Sequence, residues 1–184
     1  CRNAGRTLQE YALTASLDTA TTRTFVLKNN NWNQVCGGGL ICAALVTYQY
    51  DPVLAGSIIR RGIESEAKHI LPVYEPDGIY PEGVSYWTYG SAFQILSCMA
   101  LESVYGQDFG LGSMPGFASS PRFVVNSCGT CGDVYNFSDA HPAKPRFPQL
   151  WYFASRYGDW SVLSQSRGGF VPEDAADRLF PLYL

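Results

Sequence analysis

Three side chains able to hold or pass a proton stand close together in Glu82-Gly-Val-Ser-Tyr86-Trp87-Thr-Tyr89. A carboxylate and two phenols are unusual company for a plain core, because each can exchange a proton or grip a hydroxyl. A plainer reading stands beside it. Tyr and Trp at a helix start can plug the end of a core and hydrogen-bond by their polar tips, and Glu82 can complement a helix dipole. A second stretch is as distinctive: Asn29-Asn30-Asn31-Trp32-Asn33-Gln34, followed by Gly37-Gly38-Gly39. Asparagine favours turns and caps. Three glycines make sense where another backbone or a ligand approaches closely; the alternative is a loop, with the helix beginning only at Leu40.

Both stretches must be positioned by helices. Pro76, Asp77 and Gly78 make a turn before the first, and Pro81 and Gly83 keep the chain irregular. Tyr89, Phe93, Leu96, Ala100 and Val104 then recur at steps of three and four, which predicts a helix over 85–105 with that stripe buried. Gly106 follows as a C-cap. The second stretch opens a helix over 35–48. Between them, Asp51-Pro52 is a cap and first-turn pair that starts a helix running to about Leu71. Its buried face is Ala55, Ile58, Ile59, Gly62, Ile63, Ala67 and Ile70; Arg60, Arg61, Glu64 and Lys68 form the solvated face. Further helices are expected over 5–20, with Leu8, Tyr11, Ala12 and Ala15 on one face, from Pro148 to Gly158, near 160–166 and near 172–180. Residues 122–125 and 134–137 read as short strands. Stacked antiparallel hairpins result, and a bundle, a solenoid and an (α/α) toroid all fit. The 52–71 helix runs opposite to its neighbours, so both stretches are expected on one rim.

Composition narrows the function classes. The 184 residues are 46% hydrophobic and 14% aromatic, enough for one domain with a full core. Aromatic rings serve cores, and also serve where sugars or bases stack. A net charge of −3 suggests no nucleic-acid surface. No apolar run reaches the roughly 18 residues of a membrane span. The chain begins at Cys1 and ends on apolar Leu-Phe-Pro-Leu-Tyr-Leu, so a longer natural chain is expected. Cys36, Cys42 and Cys98 read as small buried hydrophobes. Cys128-Gly-Thr-Cys131 is a lone C-x-x-C with only Asp139 and His141 near it, and no metal is expected there. Asn136-Phe-Ser138 is a glycosylation sequon in a eukaryotic secretory context.

The chain resembles the heparinase II/III-like proteins. The likeness rests on Asn30-Asn-Trp-Asn-Gln-Val-Cys36 with Gly37-Gly-Gly, on Pro76-Asp-Gly-Ile-Tyr-Pro-Glu-Gly-Val-Ser-Tyr-Trp-Thr-Tyr-Gly90, and on Ala100-Leu-Glu102, Gly106-Gln-Asp-Phe-Gly-Leu111 and Pro115-Gly-Phe117. Tyr135-Asn-Phe-Ser-Asp-Ala140 and Pro148-Gln-Leu-Trp-Tyr-Phe-Ala154 fit the same pattern. The resemblance implies an all-α incomplete (α/α) toroid of antiparallel hairpins, normally followed by an antiparallel β-sandwich that this chain lacks. It implies a periplasmic or secreted polysaccharide lyase that cuts uronic-acid polymers by β-elimination, with no cofactor, the acidic polysaccharide as partner, and neither nucleic acid nor membrane.

Such chemistry needs a neutralised uronate carboxylate, so that the developing enediolate is stabilised. It also needs a base for the adjacent proton and an acid for the leaving oxygen. Amide side chains neutralise without adding negative charge, and a tyrosine can serve as both base and acid. Carried over by motif, Tyr86 is the acid/base and Tyr89 its alternative. Asn30, Asn31, Asn33 and Gln34 are carboxylate neutralisers, Glu82 orients Tyr86 or holds a sugar hydroxyl, and Trp32 and Trp87 are either stacking platforms for sugar rings or core packing. Relatives carry an Asn-His pair where Asn30-Asn31 stands; His69 and His141 match no motif position. Tyr86 then acts alone, or a second base lies in the β-sandwich, or this member is inactive. Lys28 and Arg23 are the few cations near the motifs, which suits a weakly sulfated or unsulfated uronate polymer, such as alginate or an unsulfated glycosaminoglycan. Two other functions compete: a toroid glycoside hydrolase using Asp77 and Glu82, and a non-catalytic sugar-binding domain.

Overall fold

A computed structural model describes residues 2–18, 20, 25–130, 132–140 and 147–166. Those residues are mostly helical, with no strand among them. They fall into two units. One takes the residues up to Val73 together with Tyr89–Met114; the other takes Tyr74–Thr88 and the described residues from Pro115 onward. No described helix is long and apolar enough to cross a membrane.

The first unit opens with α1 (Arg2–Leu8), which continues as a π-helix over Gln9–Thr14 and a 3-10 turn over Ala15–Leu17. A π segment has a wider turn than 3.6 residues, so the faces shift. Leu13 and Ser16 are buried, whereas Tyr11 and Ala15 of the expected stripe are exposed. Helix α2 (Asn31–Thr47) begins at the asparagine run itself, four residues before the expected start and well before Leu40. Asn30 is its N-cap, and its side-chain oxygen accepts from Trp32 N at 3.3 Å. Helix α3 (Pro52–Ser65) starts as its signals predict: Asp51 Oδ1 accepts from Leu54 N at 2.9 Å, with Pro52 in the first turn. It passes into a π-helix over Glu66–Ile70 and a 3-10 turn over Leu71–Tyr74. Arg61, expected in solvent, is half-buried and donates to Ser16 O at 2.7 Å and Ser16 Oγ at 2.9 Å.

Helix α4 (Val84–Tyr105) spans the division between the units, and Gly106 ends it at φ +72°. Its buried face is not the predicted stripe. Tyr89 and Val104 are exposed, and Phe93, Leu96 and Ala100 are half-buried. The face turned inward carries small and polar residues, Gly90, Ser91, Gln94, Ser97 and Cys98, beside the aliphatic Ile95 and Leu101. Close approach of helices explains this. A Cβ on Gly38 of α2 would stand 2.9 Å from Phe93 O and 2.8 Å from Ser97 Oγ of α4. The glycine expected to admit a neighbouring backbone does so at Gly38, while Gly39 has nothing within 4 Å.

The second unit has an aromatic core. Trp87 at the start of α4 stacks on Phe153 at 6.0 Å, Phe117 packs on Phe153 at 5.1 Å and on Tyr74 at 5.4 Å, and Tyr74 meets Tyr80 at 5.1 Å. Short helices α5 (Pro115–Ser119) and α6 (Pro121–Ser127) follow, so the strand expected at 122–125 is helix. Pro121 in the first turn fixes a helical φ there. Of the strand expected at 134–137, only an isolated antiparallel bridge between Cys128 and Val134 forms. Helix α7 (Gln149–Tyr157) ends at Gly158 (φ +71°), and a 3-10 helix runs over Trp160–Ser166. The helix expected near 172–180 lies outside the described residues.

Candidate functional site

The asparagine run is the first turn of α2, and that turn divides its residues. Trp32 points outward, 61% exposed, and Asn30 is half-exposed. Asn31, Asn33 and Gln34 face the interior and are buried. Asn33 Nδ2 lies 2.9 Å from both Val26 O and Ser65 Oγ, tying α2 to α3 and to the preceding turn. Gln34 Nε2 lies 3.4 Å from Gln94 Oε1 on α4. The polar character read as ligand-facing is therefore spent on helix-to-helix hydrogen bonds for Asn33 and Gln34. Buried amide nitrogens must find acceptors, and Asn33 Nδ2 and Gln34 Nε2 find theirs within the protein.

The same turn lies against α4. A Cβ on Gly90 would stand 3.5 Å from Asn31 Cβ and would collide with the Gln34 amide. Gly90 is the residue after Tyr89, which is 50% exposed and meets Phe93 edge-to-face at 5.6 Å. Asn31 thus packs beside the stretch of α4 that displays the Tyr89 ring.

In the other unit, Tyr86 is half-buried in the first turn of α4. Trp87, offered as a stacking platform, is wholly buried and belongs to the aromatic core, so the packing reading of that residue is the correct one. Glu82 is half-buried, and Tyr80 donates to its Oε1 at 3.2 Å. Burial, with Tyr74 and Glu82 adding to it, drives the Tyr80 phenol far up, so Tyr80 stays protonated and holds Glu82 as a donor. Asp77 is exposed, and its Oδ1 accepts from Ile79 N at 3.4 Å across the turn. Nothing in that placement favours the hydrolase pair of Asp77 and Glu82.

A carboxylate that the sequence reading passed over occupies the middle of the first unit. Glu66 is wholly buried, with Gln94 Nε2 2.8 Å from its Oε2 and Ser97 Oγ 3.2 Å from its Oε1. Burial raises its carboxyl to about 8 against the lowering effect of those two partners. A signal was available. Ile59, Gly62, Glu66 and Ile70 share one helical face, and a Glu on an apolar stripe is out of place unless it is partnered.

The thiols are quiet. Cys98 is buried, and Cys36, Cys42 and Cys128 are half-buried and free. Burial raises Cys36 and Cys128, and burial with Glu66 raises Cys42 to about 11. Cys131, His141 and Arg23 lie outside the described residues; Asp139, Asn136 and Lys28 are exposed. His69 is half-buried at the π segment of α3. No cluster of three His, Cys, Asp or Glu able to hold a metal occurs among the described residues. No family model and no curated protein matches the chain.

Proposed function

We propose that the chain is a lyase domain that cleaves uronic-acid polysaccharide by β-elimination, built as part of an (α/α) toroid. The observation that carries this reading is the placing of α2's first turn against α4 at Gly90. It sets Asn31 beside the stretch that displays Tyr89, in the same turn as Asn30 and the exposed Trp32. An indole ring open to solvent suits the apolar face of a sugar. The half-exposed Asn30 amide in the same turn suits a uronate carboxylate whose charge must be quenched before its neighbouring proton can leave.

The proton-transfer group is a phenol of α4. Tyr86 holds that role by its place in the Glu-Gly-x-Ser-Tyr-x-x-Tyr stretch. Tyr89, three residues on, holds the second claim by its exposure and by its unit, which is that of Asn31. A phenol accepts a proton only as its phenolate, a form that bound substrate and nearby donors would have to favour. Asn33, Gln34 and Trp87 take structural roles. The test is to offer the protein a panel of uronic-acid polysaccharides and follow the ultraviolet absorbance of the unsaturated product. The reading requires a rise on at least one member of the panel. Binding with no rise would favour a sugar-binding domain instead.

A further inference from the structure

We propose that Glu66 sits in the first unit as an uncharged carboxylic acid and acts, through Gln94 and Gln34, as the positioning residue of α2's first turn. Loss of its proton leaves a buried charge that draws the Ser97 hydroxyl from Phe93 O, where α2 packs at Gly38, and so loosens the seating of that turn on α4. The inference rests on the lyase reading only for what the turn binds.

Counting hydrogens leads to the uncharged form. Ser97 Oγ lies 3.2 Å from Glu66 Oε1 and 3.1 Å from Phe93 O, and a hydroxyl has a single proton to donate. If Glu66 is ionised, Ser97 can serve only one of these acceptors. If Glu66 carries a proton on Oε1, it donates to Ser97 Oγ and Ser97 donates to Phe93 O. Oε2 is then the carbonyl oxygen and accepts from Gln94 Nε2. Gln94 turns its own oxygen to Gln34 Nε2. The chain of donors runs in one sense, from Gln34 through Gln94 and Glu66 to Ser97 and the α4 backbone.

Among the described residues, no cation stands near enough to compensate a negative charge. The influences on the Glu66 proton are burial, Gln94 and Ser97, with no cation among them. From α4 the carboxyl is met by Gln94 and Ser97, neither of which titrates. From α2 the titratable group that feels it is Cys42, itself held as a thiol. On its own helix, Arg61 is turned to Ser16, Glu64 and Lys68 are exposed, and half-buried His69 stands three residues on. Glu10 and Tyr11 of the α1 continuation are exposed. Glu66 also begins the π segment of α3, a backbone feature that recurs at functional positions.

The sign of the pH effect follows. The carboxyl rises from 4.5 to about 8 on folding, so the folded chain binds the extra proton between those values. The stabilisation is fully present below about 4.5 and is lost as pH rises through about 8. Carbon-13 NMR of the glutamate carboxyls in the wild-type protein is the direct test. One carboxyl should remain protonated at neutral pH and titrate near 8. A spectrum in which every glutamate titrates in the ordinary carboxyl range overturns the proposal.

Glu66→Gln separates positioning from mere packing, since its amide can donate to Ser97 and accept from Gln94 at any pH. Amide hydrogen exchange at Asn31–Val35, corrected for the intrinsic pH effect, should quicken about tenfold or more above pH 8 in the wild type and stay flat in Glu66→Gln. An equal rise in both proteins, or none in the wild type, defeats the positioning role. Neither measurement uses a sugar. If no uronate polymer is bound or cleaved, the lyase reading fails while these results still decide the role of Glu66.

Discussion

Gln94 and Glu66 are joined at 2.8 Å, Nε2 to Oε2, with both side chains wholly buried between α3 and α4. Gln94 also accepts from Gln34 of α2, so one amide links three helices. Gln94→Leu should therefore destabilise the protein more than a surface change would. It strands a buried carboxyl and a buried amide, and each such loss costs about 1–3 kcal/mol. Urea denaturation checks this: a midpoint shift below about 0.5 kcal/mol would show that the network contributes little.

The glycine triplet offers opposite outcomes within two residues. Gly38→Ala must push a methyl to 2.9 Å from Phe93 O and should cost roughly 1–3 kcal/mol. Gly39→Ala meets nothing within 4 Å in the same helix and should stabilise by up to about 1 kcal/mol. Thermal melts of the two variants should move in opposite directions.

The two motif tryptophans should also separate. Trp87→Ala empties the aromatic core against Phe153 and should cost about 3–5 kcal/mol. Trp32→Ala removes an exposed ring, should leave stability within about 0.5 kcal/mol, and should weaken sugar binding at least tenfold. Isothermal titration of an unsulfated uronate oligosaccharide beside a melt reads both effects.

At the start of α3, Asp51→Ala removes the acceptor for Leu54 N and should cost about 1 kcal/mol. Asp51→Asn should restore most of it, because the cap needs an oxygen more than a charge. Denaturation of the pair measures the difference.

Much of this was legible where a local signal sufficed. Asp51-Pro52, Gly106 and Gly158 mark helix ends through chemistry contained in a few residues, and the ends fall there. Hidden were the faces, which depend on partners distant in sequence. The apolar stripe of α4 is expected inward, yet where α2 passes close, at Gly38 and Gly90, α4 presents Gly90 and Ser97, with Ile95 and Leu101 buried elsewhere along the helix. The π segment after α1 moved Leu13 inside and Tyr11 outside, against a 3.6-residue count. At the candidate site the asparagine run stands out by composition alone. Which of its amides meet solvent was decided by Ser65, Val26 and Gln94, none of them adjacent in the chain. Glu66 shares its stripe with Ile59, Gly62 and Ile70 and carries no local motif, because its partners Gln94 and Ser97 are remote in the chain.

The central claim is eliminative cleavage by a phenol of α4. The most direct measurement is the ultraviolet absorbance of unsaturated product during incubation with uronic-acid polysaccharides, for the wild type, Tyr86→Phe and Tyr89→Phe side by side. The account predicts a rise for the wild type that Tyr86→Phe abolishes; abolition by Tyr89→Phe instead would move the acid/base role one turn along the helix. No rise on any substrate, or a rise that both variants leave unchanged, would contradict it.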